Sequence, residues 1–142
     1  AMASALARAR GLGAEAVAFG DIFLEDVRRY REERMRATEL ATLFPLWGEP
    51  TERLAAEMID AGTRAVLTCV DPRLLAASFV GRGFDIELLA ELPAGVDPCG
   101  EHGEFHTFVW DGPAFRRPVP VLVGETVDRD GFVFADLVAA RG

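Results

Sequence analysis

The sequence has no lysine: all 15 basic residues are arginine. That absence excludes a phosphate-binding lysine, a Schiff-base lysine and a lysine general base. Cysteine is nearly as scarce. Cys69 and Cys99 are the only two, and their spacing is neither a disulfide framework nor a zinc-ribbon pattern. No charged leader precedes an apolar segment, and no apolar run approaches the ~20 residues that span a bilayer. A reducing cytoplasm is therefore the expected compartment, with no membrane partner. An excess of positive charge is missing as well. The net charge of −8 repels phosphate chains and argues against nucleic-acid binding, though it leaves room for a small anion at a local basic spot. Internal repeats and low-complexity tracts are absent.

What is present suits one domain, or a small domain plus part of another: 142 residues, half of them apolar. Residues 1–10 read as a helix stopped by Gly11-Leu12-Gly13. Residues 15–20 read as a short buried strand, and 22–40 as a helix with Leu24, Val27 and Met35 inward. A second apolar run covers 42–47. Residues 51–61 read as a helix with Leu54, Met58 and Ile59 inward, capped by Thr51 or begun at Pro50, and stopped by Gly62. Residues 64–70 form a third run, apolar enough for burial on both faces. This alternation predicts an α/β layer structure with parallel pairing. Further on, 74–79 reads as a short helix and 84–92 as a helix with Phe84, Leu88 and Leu92 on one face. A strand over 105–110 is closed by Asp111-Gly112-Pro113. Residues 119–127 and 132–138 make a hairpin around Asp130-Gly131.

The chemistry concentrates in residues 97–113. Two carboxylates, two imidazoles, a thiol and a hydroxyl lie between Cys99 and Thr107. Three readings stand side by side. Period two puts His102, Glu104 and His106 on one face if the strand begins early, and that set can hold zinc or iron. A structural role is the second reading, with His106 bonded to a backbone carbonyl and Glu101 and Glu104 facing water. A ligand pocket is the third: Glu104 accepts from an amine or hydroxyl, His106 and Thr107 exchange hydrogen bonds, and Gly100 and Gly103 let a ligand reach backbone N–H groups. Nearer the start, Arg28, Arg29, Arg31 and Arg34 fall within two helical turns. They are a solvated face paired with Glu25, Asp26, Glu32 and Glu33, or one or two of them clamp an anion. Asp21 reads as an N-cap, as a ligand residue at a strand end, or as both.

Several segments carry a family likeness. Gly20-Asp21-Ile22, Arg28 through Glu32, Pro45-Leu46-Trp47-Gly48, Asp97-Pro98-Cys99-Gly100-Glu101-His102-Gly103-Glu104-Phe105-His106-Thr107 and Asp111-Gly112-Pro113 stand in the order and spacing of the diphthine–ammonia ligase family. The chain resembles that family over essentially its whole length. The family belongs to the PP-loop ATP pyrophosphatases, or adenine nucleotide alpha hydrolases. The resemblance implies the C-terminal part of a Rossmann-like (HUP-type) parallel-sheet nucleotide domain over residues 1–47. A smaller α+β substrate-side domain ending in an antiparallel hairpin follows over 48–142. It also implies an ATP-dependent ligase: ATP, with Mg2+, adenylates a carboxylate, and ammonia displaces AMP. The implied catalytic residues are Glu104 and His106. Glu101, Thr107, Cys99, Gly100 and Gly103 are implied on the substrate side of a cleft, and Gly20, Asp21 and Arg28 on the nucleotide side, with no resident metal. The implied partners are a small-molecule or protein carboxylate and ammonia; a homodimer is left open. The family's S-G-G-K-D-S phosphate loop is missing, so this chain by itself is expected to be inactive on ATP. The arginine-only composition suggests a GC-rich bacterial source and a substrate acid other than diphthine. A metal-dependent enzyme on His102, Glu104 and His106, and a non-catalytic binding module, are the alternatives.

Overall fold

The structure is a computed structural model that describes residues 2–140. The chain divides into two compact units, one running up to Glu49 and the other starting at Pro50.

Unit 1 contains α1 (Met2–Gly11), β1 (Ala16–Ala18), α2 (Glu25–Met35) and β2 (Ala41–Leu43). The two strands pair in parallel, Ala16 against Ala41 and Ala18 against Leu43. Backbone bonds extend the pairing at both ends, from Ala41 to Glu15 and from Phe19 to Leu43, each 2.9 Å. Parallel strands in adjacent positions need a crossover, and α2 supplies it. Two expectations are corrected here. The first strand is not buried: Ala16 and Ala18 are exposed and only Val17 is half-covered. The helix is also shorter than the apolar spacing predicts. Ile22 is drawn into the core and its carbonyl accepts from the amide of Gly48 at 2.8 Å. Leu24 is extended, so the helix starts only at Glu25.

Unit 2 contains α3 (Thr51–Asp60), β3 (Arg64–Val70), a single 3-10 turn (Ala77–Phe79) in place of a helix over 74–79, α4 (Ile86–Glu91), β4 (Phe105–Asp111), β5 (Val121–Arg129) and β6 (Phe132–Ala139). The strands form one antiparallel sheet in the order β4-β3-β6-β5. The third run is therefore antiparallel, which overturns the expected parallel pairing. A central strand covered on both faces shows the same unbroken apolar run in either kind of sheet. Leu67 and Val70 of β3, Phe105 of β4, Ala55 of α3, Leu88 of α4, and Leu75, Phe79 and Phe84 from the connections make the core. Asp85 caps α4, its carboxylate accepting from the amide of Leu88 at 2.8 Å. The final hairpin turns on Asp130 and Gly131, both at positive φ (53° and 83°), between the paired residues Arg129 and Phe132. Two positive-φ residues in a two-residue loop match the twist of the strands that they join. Among the described residues no helix is long and apolar enough to cross a membrane.

Candidate functional site

The residues between α4 and β4 form a loop folded around Glu104. This side chain is only 2 % exposed. Its Oε1 accepts from the amide of Asp97 at 2.9 Å and its Oε2 from the amide of His102 at 3.0 Å. Asp97 makes a second staple. Its Oδ1 accepts from the amides of Cys99 (2.8 Å) and Glu101 (3.3 Å), and its Oδ2 from the hydroxyl of Thr51 at 2.7 Å. The remaining amides close turns, from Gly100 to the carbonyl of Asp97 (2.9 Å) and from Gly103 to the carbonyl of Gly100 (3.0 Å). Gly100 and Gly103 both have positive φ, 70° and 83°, a conformation open to glycine at little cost. At Gly100 a Cβ would also stand 2.8 Å from the carbonyl oxygen of Phe105.

This geometry corrects one expectation. Gly100 and Gly103 do not offer their N–H groups to a ligand, because both already donate within the loop. The metal reading has no support either. The turn at Gly103 delays the strand until Phe105, so the period-two face does not reach back to His102. Glu104 points inward, and among the described residues no three His, Cys, Asp or Glu side chains could hold a metal ion. Cys99 donates its thiol to the carbonyl of Thr51 at 3.5 Å. Burial, then the nearby Asp97, Glu101 and Glu52, pushes that thiol up to about 11. It is a neutral donor at physiological pH, not a nucleophile.

The loop is tied to the sheet through Asp71 at the end of β3, whose amide donates to the carbonyl of Glu104 at 2.9 Å. Its buried carboxylate is gripped by Arg73, with Nε on Oδ1 at 2.8 Å and Nη2 on Oδ2 at 2.6 Å. Those bonds hold the Asp71 carboxyl below the ordinary carboxylate range. Outside the staples, His102, His106 and Thr107 are exposed and Glu101 is half-buried. His106 stands opposite Cys69, and its carbonyl accepts from the Thr68 hydroxyl at 3.2 Å. Sequence reasoning missed Thr51, Asp71 and Asp97. Asp97 had a signal: an aspartate followed by proline and then glycine suits a side chain that bonds to amides just downstream. Thr51 and Asp71 had none, since their roles depend on distant segments.

Unit 1 gathers a second polar group where β1 and β2 end. Asp21 does not cap α2. Its carboxylate accepts from Arg31 Nε at 3.0 Å and Nη2 at 3.5 Å, and the N-cap residue is Leu24, with no side-chain bond. The Arg31 guanidinium lies 4.8 Å from the centre of the Phe19 ring. Arg28 donates through Nε to Glu32 at 2.9 Å and lies 4.7 Å from the Phe44 ring and 4.5 Å from the Trp47 ring. Phe19 and Phe44 stack at 5.7 Å. Gly20 faces open space, with nothing within 4 Å of where a Cβ would sit.

The chain thus combines a parallel βαβ unit with an antiparallel α+β unit that carries a doubly stapled acidic loop. Residues 50–135, which include the whole loop, match the family described as diphthamide synthase C-terminal domain. Over 133 residues the chain is 32 % identical to the diphthine–ammonia ligase of Rattus norvegicus, covering 89 % of this chain and 49 % of that protein. It is 36 % identical over 118 residues to the diphthine–ammonia ligase of Danio rerio, covering 79 % and 46 % respectively. With the Homo sapiens protein of the same name it shares 32 % over 135 residues, covering 89 % and 49 %. The class is therefore an α/β chain whose relatives bear the name ligase. The chain belongs to the diphthamide synthase family. It spans about half the length of these curated relatives.

Proposed function

We propose that the intact protein is an ATP-dependent amide ligase of the diphthine–ammonia ligase type. In that reading a carboxylate is adenylated with release of pyrophosphate, and ammonia displaces AMP to leave the amide. The observation that carries it is the 32–36 % identity, over most of the chain, to relatives named for joining ammonia to diphthine. Residues 1–47 serve as the rear of the nucleotide-binding domain and 48–142 as the substrate side. His106 and Thr107, exposed where β4 begins, face the substrate together with Glu101. Glu104 works differently from a catalytic carboxylate: with both oxygens on backbone amides, it positions the loop that presents the others.

A triphosphate with its metal does not fit the residues of this chain. α2 opens with Glu25 and Asp26, which repel an anion from the helix N-terminus. Arg31 is spent on both oxygens of Asp21, which leaves at most Arg28, partly offset by Glu32, for a single anionic group. No lysine is present, and among the described residues no group of His, Cys, Asp or Glu side chains is arranged to hold a metal ion. We derive no step in which these residues grip the triphosphate or Mg2+.

The test uses intact protein with ATP, ammonium and a panel of protein-borne and small-molecule acids. Equimolar AMP and pyrophosphate, with amide formation detected by mass spectrometry, is the expected result. A protein that binds no adenine nucleotide by calorimetry sinks the reading.

A further inference from the structure

The cluster in unit 1 contains two arginines that look equivalent in sequence but not in space. Arg31 meets both oxygens of Asp21 through Nε and Nη2. This two-pronged pairing leaves it little to offer a ligand. Arg28 spends only Nε, on Glu32. Its guanidinium carbon lies 4.7 Å from the centre of the Phe44 ring and 4.5 Å from that of Trp47, cation–π contacts that supply no hydrogen-bond acceptor to its N–H groups. Among the described residues, no hydrogen bond uses Nη1 or Nη2 of Arg28. The outer edge of a guanidinium, held still by two rings and one carboxylate, is complementary to a pair of oxygens on one anion. Its place also counts. Phe44 and Trp47 follow directly on β2, and Gly20 leaves the end of β1 open. Ligands of parallel α/β units collect beyond the carboxyl ends of the strands.

We propose that Arg28 is an oxyanion receptor, its Nη edge binding a carboxylate or phosphoryl group of the ligand while Phe44, Trp47 and Glu32 fix the guanidinium in place. Which of the two anions it takes rests on the ligase reading; the receptor itself does not. Arg29 and Arg34 lack this support. Arg29 is exposed, and Arg34 lies on the equally exposed Tyr30. Glu32 restrains affinity as well as orientation, because its charge opposes the incoming anion.

The experiment is an arginine side-chain NMR titration of the intact protein, with the Arg28 Nε–H signal assigned by its loss in Arg28→Lys. Acetate, inorganic phosphate and AMP are the probes. The expected result is a saturable shift of the Arg28 signal while those of Arg29 and Arg34 stay flat. Calorimetry should show binding about ten-fold weaker in Arg28→Lys, which keeps the charge but loses the planar edge. A response to phosphate and AMP alone identifies the nucleotide as the source of the anion; a response to acetate alone identifies the acid. Glu32→Gln is the second variant and should bind the same probe more tightly than wild type. No saturable shift with any probe overturns the proposal. So does an Arg28→Lys protein that binds like wild type, or a Glu32→Gln protein that binds more weakly. AMP and pyrophosphate release, measured separately, keeps the two ideas apart. Anion binding without turnover removes the ligase reading alone, and turnover indifferent to Arg28→Lys removes the receptor alone.

Discussion

The loop of unit 2 and the arginine–aromatic cluster of unit 1 both crowd polar side chains into a small space, but they use them in opposite directions. In the loop, Asp97 and Glu104 turn inward and between them accept four backbone amides and one hydroxyl. In the cluster, Arg28 bonds through Nε alone, and among the described residues its two Nη groups make no hydrogen bond. A carboxylate one or two methylenes from the backbone reaches the amides of its own turn; a guanidinium on a long stem reaches neighbouring rings instead. Two charged clusters can thus spend their bonds on the backbone in one place and leave donors open in another, the arrangement on which the proposed receptor rests. Bond inventory separates them, whereas residue type does not.

Tests at five residues would break or sharpen this contrast, the largest first. Removing the inner staple with Glu104→Ala should cost about 3 kcal/mol of stability, because the part-buried amides of Asp97 and His102 lose their carboxylate acceptor and the loop loses the side chain that it is folded around. Glu104→Gln should cost roughly half as much, since its NH2 group must face one of the two donors. Denaturant midpoints measure both. Unchanged stability with lost turnover would make Glu104 catalytic and dissolve the contrast. Cys99, next, should alkylate with iodoacetamide at pH 8 about a hundred-fold more slowly than a small-molecule thiol of pKa 9.0, because its own value is about 11. The sign of the linked stability follows. Below pH 9 the thiol is neutral in both states. As pH rises from 9 to about 11 the unfolded chain ionises first, so stability falls across that window. Thiol labelling followed by mass spectrometry, and unfolding against pH, check the two halves.

Gly100→Ala should cost about 2 kcal/mol or more, combining a positive φ with a contact of 2.8 Å to a carbonyl oxygen. Gly103→Ala, with positive φ but open space, should cost only about 1 kcal/mol. Equal costs at the two positions would mean that the loop is not packed as described. The smallest effect belongs to unit 1. Asp21→Asn loosens an ion pair outside any cap and should cost less than about 1 kcal/mol, read from the same unfolding curves. A cost as large as that of Glu104→Ala would make the cluster as much a scaffold as the loop.

Where sequence reasoning succeeded, a local rule was enough. Asp130-Gly131 announces its hairpin because two positive-φ residues in a row admit few other turns. The unbroken run of β3 announces burial. Sheet direction was not legible, because β3 lies between β4 and β6, and an apolar run does not record which way its neighbours point. The length of α2 was overestimated for a related reason. Ile22 fits the helical stripe, yet its carbonyl is claimed by Gly48, a residue well outside the window. At the site, the residue types were visible but their orientations were not. Period two gives no warning that Glu104 folds back on its own loop. Nothing in Thr51 foretells Asp97 as a partner, since the two are 46 positions apart. Arg28 and Arg31 look alike until the positions of Glu32, Asp21 and the rings are known.

The segment between Asp97 and Gly103 has no helix or strand, yet its amides are as fully bonded as those of either. Loops usually give up much of their motional freedom when a ligand arrives, and affinity drops by that amount. Here the freedom was surrendered during folding. On the proposed reading, a substrate at His106 and Thr107 would meet a loop already ordered, and its binding entropy should carry little contribution from that loop.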